Sequence, residues 1–218
     1  MMFFGHVSFI GSVSFESNYA NISGGAVYAA GDYSNASFGG EAVFTKNTAT
    51  YGGAIYGEGS NIVLKGETVF ANNTAECGGA INMRESSELN VTEAGRVYFV
   101  NNHAVNCGGA MLFFGEVNFI GSVSFESNYA NGSGGAVYAG DDSNALFGGE
   151  AVFTKNSATY GGAIYVIERS ELNVTEGGRV SFVNNHAHYG GAIRLHNQSV
   201  FNSYGTASFV SNEAKHYG

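Results

Sequence analysis

Short runs of alternating apolar and polar residues recur along the chain. Each repeated unit contains three such runs. The first follows a glycine pair, as at residues 164–166; examples of the second and third are residues 89–91 and residues 123–125. Alternation with period two is typical of a strand with one buried and one solvated face. No window shows a helical period over a useful length, and the frequent glycines would interrupt a helix. The pattern therefore predicts an all-β chain of short strands.

Two motifs interleave along these runs. Gly-Gly-Ala followed by Val, Ile or Met begins at Gly24, Gly52, Gly78, Gly108, Gly134, Gly161 and Gly190. Phe-x-x-Asn alternates with it, and its phenylalanines are Phe15, Phe44, Phe70, Phe99, Phe125, Phe153, Phe182 and Phe209. Its asparagines are Asn18, Asn47, Asn73, Asn102, Asn128, Asn156, Asn185 and Asn212. Whole blocks are also copied: residues 3–21 return as 113–131, and residues 87–104 return as 170–187.

The repeat predicts a right-handed, single-stranded parallel β-helix of about eight coils, each about 27 residues long. We expect the phenylalanines to stack inside the column and the asparagines to form a ladder that satisfies backbone groups at a turn. We expect each glycine pair to permit a positive φ where neighbouring backbones approach. A leucine-rich repeat has a similar period, but this chain has few leucines. Residues 1–218 are expected to form one domain with uncapped ends, a fragment of a longer array.

Composition excludes several classes of protein. The chain has 33 glycines and no proline, and 44% of its residues are apolar, which disfavours disorder. Its net charge of −9 argues against a nucleic-acid partner, which requires a basic face. No stretch of about 18 apolar residues occurs, so we expect no membrane insertion of this segment.

Few side chains have the pattern of a catalytic centre. The best acid–base pair is Glu93 with Arg96, repeated as Glu176 with Arg179. Its presence in duplicated units favours a surface ion pair over catalysis. His186 and His188 lie close together, but no Cys or Asp accompanies them at ligand spacing. We therefore predict no catalytic, cofactor-binding or metal-binding residues and no enzymatic activity.

The two cysteines occupy equivalent positions. Cys77 and Cys107 each precede a Gly-Gly pair, one unit apart. Stacked coils would place them at about one coil spacing, within the Cα range that a disulfide tolerates. Two alternatives remain open: free thiols, or a disulfide joining two coils.

A tyrosine recurs at one outward position. It follows Gly-Gly-Ala-Val or Gly-Gly-Ala-Ile in four units, at Tyr28, Tyr56, Tyr138 and Tyr165. Exposed tyrosines suit contacts with proteins or glycans, so these four are a candidate binding face. Asn82, Leu112 and Arg194 interrupt the row, which favours the plainer interpretation that tyrosine is a good strand residue.

The alternation of Gly-Gly-Ala-Ile with Phe-x-x-Asn resembles the repeats of chlamydial polymorphic outer membrane proteins. The resemblance implies an adhesin-like autotransporter passenger domain, located at the cell surface, in the outer membrane or outside the cell. It implies no cofactor, and a partner that is a host, cell-surface or matrix protein or a glycan. The alternative is a carbohydrate-active, pectin lyase-like β-helix enzyme or a glycan-binding module.

Overall fold

Residues 1–218 form a stack of parallel strands. The computed structural model describes this whole backbone and every side chain except those of Asp32, Tyr33 and Glu85. Every strand pair is parallel, and the described residues contain no helix. Paired residues lie one repeat apart in sequence, for example Phe99 beside Phe125. The predicted parallel β-helix of about eight coils is confirmed.

The first sheet takes two segments from each coil. In some coils these segments are one continuous strand, and in others a turn separates them. Its strands are β1 (Met2–Phe3), β2 (His6–Phe9), β4 (Val27–Phe38), β6 (Ile55–Leu64), β9 (Ile81–Val91), β12 (Met111–Phe119), β15 (Val137–Ala139), β16 (Asn144–Phe147), β19 (Ile164–Val166), β20 (Glu171–Val174), β23 (Ile193–Leu195) and β24 (Val200–Ser203).

The other two sheets complete each coil. The second sheet contains β3 (Val13–Glu16), β5 (Ala42–Thr45), β7 (Glu67–Ala71), β10 (Arg96–Val100), β13 (Ser122–Glu126), β17 (Glu150–Thr154), β21 (Arg179–Val183) and β25 (Thr206–Val210). The third sheet contains β8 (Thr74–Cys77), β11 (His103–Cys107), β14 (Tyr129–Ala130), β18 (Ser157–Tyr160), β22 (His186–Tyr189) and β26 (Glu213–Tyr217).

The division of the strands differs from the sequence prediction. The first two predicted runs of each unit lie in one sheet, and the third run forms the second sheet. The third sheet follows the ladder asparagine and was missed. Its inward residues are small, and Ala104, Ala130 and Ala158 form a buried cluster apart from the main core. A single inward alanine gives too weak an apolar alternation to indicate a strand.

Phenylalanine rings form the centre of the core. Consecutive rings of the predicted Phe column stack with centroids 4.6 to 4.9 Å apart. The rings from Phe44 to Phe182 are fully buried. Inward Val, Ile and Leu side chains of the first sheet complete the same apolar cluster. Each coil therefore buries its apolar face against the coils above and below it.

An asparagine turns the chain from the second sheet to the third; we call this position the Asn corner. At Asn102, Nδ2 donates to the Phe70 backbone oxygen at 2.9 Å and to Asn128 Oδ1 at 3.0 Å. Its Oδ1 accepts bonds of 3.0 Å from the backbone N and Nδ2 of Asn73. The residue before each ladder asparagine is not glycine, yet it has a φ between 52° and 56°: Ser17, Lys46, Asn72, Asn101, Ser127, Lys155, Asn184 and Ser211.

A glycine pair turns the chain from the third sheet to the first; we call this position the Gly-Gly corner. Gly108, the first glycine of its pair, has a φ of 63°, in the left-handed region. Gly109, the second, lies so close to the next coil that an added Cβ would come within 3.0 Å of the Gly135 backbone oxygen. The two glycines thus meet two separate demands.

A column of buried serines lies in the first sheet, and sequence reasoning missed it. Ser143 Oγ donates to the Phe113 backbone oxygen at 3.2 Å and accepts from the Gly115 backbone N at 3.1 Å. Ser170 Oγ donates to its own turn, at the Ile167 oxygen, and accepts from the Ser143 backbone N. These serines recur at the repeat spacing, but serine is so common in this chain that their recurrence alone does not indicate a buried column.

Candidate binding surface at the Gly-Gly corner

Two columns of side chains flank the Gly-Gly corner and form what we call the corner face. The column before the glycines contains Ser23, Tyr51, Cys77, Cys107, Ser133, Tyr160 and Tyr189. The column after them contains Tyr28, Tyr56, Asn82, Leu112, Tyr138, Tyr165 and Arg194. Because glycine has no side chain, residues of the two columns can meet across the corner.

At the N-terminal end of the corner face, two of the predicted tyrosines stack. The rings of Tyr28 and Tyr56 are 5.3 Å apart and nearly parallel. Tyr28 donates its hydroxyl to Glu58 Oε2 at 3.1 Å. Burial raises the pKa of Tyr28, and the bond to the Glu58 carboxylate raises it further. This phenol therefore stays protonated at neutral pH.

The C-terminal end of the corner face carries a larger cluster. Tyr138 and Tyr165 lie 5.5 Å apart, and Tyr160 lies 5.3 Å from Tyr189 and 6.3 Å from Tyr165. The Arg194 guanidinium lies over the ring of Tyr160 at 4.6 Å and of Tyr189 at 5.2 Å. Burial raises the pKa values of Tyr138 and Tyr165. In the sequence Arg194 interrupts the row of tyrosines, whereas in the structure it is part of the cluster.

The middle of the corner face is closed. Asn82 and Leu112 occupy the same column as the tyrosines, yet their exposed fractions are 0% and 1%. Asn82 Nδ2 donates to the Cys77 backbone oxygen at 3.1 Å, and Arg84 Nε donates to Asn82 Oδ1 at 3.1 Å. The Arg84 guanidinium lies 4.4 Å from the Phe114 ring centroid. The predicted row of four tyrosines is therefore two separate groups.

Both cysteines lie in this closed middle. Cys77 ends β8, Cys107 ends β11, and the two are register partners on adjacent coils. Both are partly buried, and no bond joins their sulfur atoms. The Cys107 thiol donates to Cys77, which lowers the pKa of Cys77 to about 7, with a smaller contribution from Arg84. The same hydrogen bond raises the pKa of Cys107.

The acid–base pairs that were expected on the surface do not form. No ion pair joins Glu93 to Arg96 or Glu176 to Arg179 in the described part of the chain. Arg96 lies beside Glu67 and Ser122 of the neighbouring coils, and strand register decides those neighbours. The ion pairs among the described side chains are Lys46–Glu16 and Arg169–Asp142, and His186 Nδ1 lies 3.6 Å from Glu213 Oε2.

The described residues contain neither a group of side chains suited to a metal ion nor a helix suited to a membrane. No three His, Cys, Asp or Glu side chains among them are close enough together to hold one metal ion. None of the described segments is a helix of the length and apolarity needed to cross a lipid bilayer.

Comparison with known families finds one match. Five segments match the sequence model of a repeat described as Chlamydia polymorphic membrane protein (Chlamydia_PMP) repeat: residues 12–30, 41–58, 67–83, 122–140 and 150–167. Each segment runs from the second sheet through both corners to the first strand of the next coil. Comparison with curated proteins and with solved structures finds no match.

Proposed function

We propose that this chain, whose repeats are of the Chlamydia polymorphic membrane protein type, is a non-enzymatic surface module that attaches to a host, cell-surface or matrix partner. The C-terminal cluster of the corner face carries the proposal. There Tyr160, Tyr165, Tyr189 and Arg194 lie together on the outer side of the solenoid. Tyrosine and arginine are enriched at the residues that dominate protein interfaces.

The distribution of the repeated residues supports this proposal. Those kept from unit to unit serve the core and the two corners: Gly, Ala, Phe and Asn. The corner face instead changes from coil to coil, from tyrosine to cysteine, serine, leucine or arginine. A surface that varies on a constant scaffold suits recognition, since contacts can change without loss of the fold.

The chemistry of the cluster favours a protein or a glycan as the partner. The tyrosine rings offer rigid apolar area together with hydroxyl donors. Burial raises the pKa values of Tyr138 and Tyr165, which keeps these two phenols neutral at physiological pH. Arg194 adds a cation that is partly shielded by two rings. Several such modules displayed side by side would add modest affinities through effective concentration.

A binding assay tests the proposal. The double variant Tyr160→Ala/Arg194→Ala should bind to cells or extracellular matrix at least about tenfold more weakly than the natural chain, the loss expected for a dominant contact. Tyr98→Ala removes a tyrosine from the outer side of the second sheet and should change binding less than about twofold. Equal losses in both variants, or none in the first, would contradict a site at the corner face.

One observation favours the enzymatic alternative. A groove over the second sheet brings together Arg96, Tyr98 and Glu150, residue types that serve in polysaccharide cleavage. Incubation with pectin-like acidic polysaccharides would test it through the appearance of reducing or unsaturated ends. Cleavage that disappears on Glu150→Gln or Glu93→Gln substitution would replace attachment as the function of the module.

A further inference from the structure

The two cysteines of the chain are brought together by the stacking of the coils. Cys77 and Cys107 are direct register partners on β8 and β11. They lie beside the Gly-Gly corner, where the Asn82 amide bonds to the Cys77 backbone oxygen. Adjacent parallel strands are about 4.8 Å apart, a Cα separation at which a disulfide can form.

We propose that Cys77 and Cys107 form a dithiol site that exchanges with small-molecule disulfides and closes into a disulfide between two coils. The site is separate from the attachment proposed above, because it lies in the closed middle of the corner face. Its partners in the reaction are disulfides of the glutathione class.

Cys77 is the attacking thiol. Its pKa is lowered to about 7, first by the hydrogen bond from the Cys107 thiol and also by the Arg84 charge. Burial and the nearby Glu76 carboxylate oppose this shift. Cys107, whose pKa is raised by the same hydrogen bond, keeps its proton until Cys77 has reacted. A thiol whose pKa lies near the ambient pH is the best nucleophile for disulfide exchange.

The reaction has two balanced steps. The Cys77 thiolate attacks one sulfur of the small disulfide, forms a mixed disulfide and expels one thiolate. Cys107 then loses its proton to water, attacks the Cys77 sulfur and expels the second thiolate. The two cysteines are oxidised by two electrons, and the small disulfide is reduced to two thiols.

A redox titration of the full chain tests the closure. The chain is equilibrated with mixtures of oxidised and reduced glutathione, its free thiols are alkylated, and its peptides are identified by mass spectrometry. We expect a monomer that loses two hydrogens and a peptide that joins Cys77 to Cys107. Two alkylated cysteines in fully oxidised glutathione, or only disulfides between chains, would overturn the proposal.

Single variants identify the attacking thiol. At pH 7, Cys107→Ser, which keeps a donor to Cys77, should form the mixed disulfide with glutathione about fivefold faster than Cys77→Ser. A thiol with a lower pKa has a larger ionised fraction at pH 7, which raises the rate, but its thiolate is a weaker nucleophile, which lowers the rate. The factor of about five is the net result of these two effects. Equal rates in the two variants would overturn the assignment of Cys77 as the attacking thiol.

Ser133 offers a matched control for geometry, because it is the register partner of Cys107 on the next coil. The variant Cys77→Ser/Ser133→Cys moves the pair by one coil and should still close. The variant Cys107→Ser/Ser133→Cys leaves two thiols two coils apart, roughly 9.6 Å, which is too far for a disulfide. Closure of the second variant as readily as the natural chain would show that register does not direct the reaction and would overturn the proposal.

Discussion

The Asn corner and the Gly-Gly corner turn the same coil by opposite means. At the Asn corner a side chain fills the turn and makes four hydrogen bonds, as Asn102 does to Phe70, Asn73 and Asn128. At the Gly-Gly corner the turn is made by the lack of a side chain, and backbone packs against backbone. One corner is held by polar bonds, and the other is held by close approach.

The difference shows where the molecule can vary. The ladder position requires a side chain that can both donate and accept hydrogen bonds, as an amide does. It is asparagine in every coil. The glycine pair accepts no Cβ, but the residues on either side of it face outward and change from coil to coil. A corner whose own backbone tolerates no Cβ is therefore flanked by positions that vary.

The largest expected effect is at the Gly-Gly corner. In Gly109→Ala the new Cβ would come within 3.0 Å of the backbone oxygens of Gly135 and Tyr129, which cannot both move without opening two coils. We expect the free energy of unfolding to fall by more than about 4 kcal/mol, or the chain not to fold. Urea denaturation followed by circular dichroism measures it.

Gly177→Ala is the control for this change, since no heavy atom lies within 4 Å of the place that its new Cβ would take. We expect a change of less than about 0.5 kcal/mol. A similar loss of stability in both variants would mean that the loss in Gly109→Ala does not come from close approach of the new Cβ to the next coil.

The next effect is at the Asn corner. Asn102→Ala removes four hydrogen bonds and leaves the Phe70 oxygen and the Asn73 amide without that partner in a buried site. We expect a loss of about 3 kcal/mol, measured by the same denaturation. Asn18→Ala, at a half-buried position where the side chain donates only to Asn47, should lose about 1 kcal/mol. Equal losses would contradict a role for burial in the ladder.

A buried hydroxyl outside both corners sharpens the comparison. Thr68 is fully buried between Ala42 and Val97, and its Oγ1 has no hydrogen-bond partner. Thr68→Val should raise the free energy of unfolding by about 1 kcal/mol, because an unpaired polar atom is replaced by a methyl group of the same size. The outward Thr154→Val on β17 should change it by less than about 0.5 kcal/mol. A loss of stability in Thr68→Val would mean that this hydroxyl has a partner after all.

The smallest expected effect concerns the residue before the ladder asparagine. Lys155 has a φ of 56°, a conformation that asparagine adopts more readily than lysine. Lys155→Asn should stabilise the fold by about 0.5 kcal/mol, a shift that thermal unfolding can resolve. Lys65 is also exposed but does not have a positive φ, so Lys65→Asn should bring no gain. Equal gains at both positions would show that the gain does not come from the positive φ of Lys155.

The sequence predicts the neighbours of residues inside the solenoid better than the neighbours of residues on its surface. The spacing of Phe-x-x-Asn was enough to place Phe99 beside Phe125 and Asn102 beside Asn128, since one repeat is one coil. It could not place Arg96, whose neighbours depend on strand register and not on nearness in sequence. It also gave no sign of the third sheet, where a lone alanine faces inward.

By itself the sequence determined the period, the parallel stacking and the residues that line the core, because each coil must bury its apolar face against a near copy of itself. Only the tertiary structure decided which outward residues are exposed. Leu112 and Asn82 share a column with the tyrosines, yet they are buried, and Arg194 joins the rings of Tyr160 and Tyr189. Those outcomes depend on side chains from neighbouring coils that meet across the Gly-Gly corner. The repeat pattern of the sequence does not show which of these side chains are in contact.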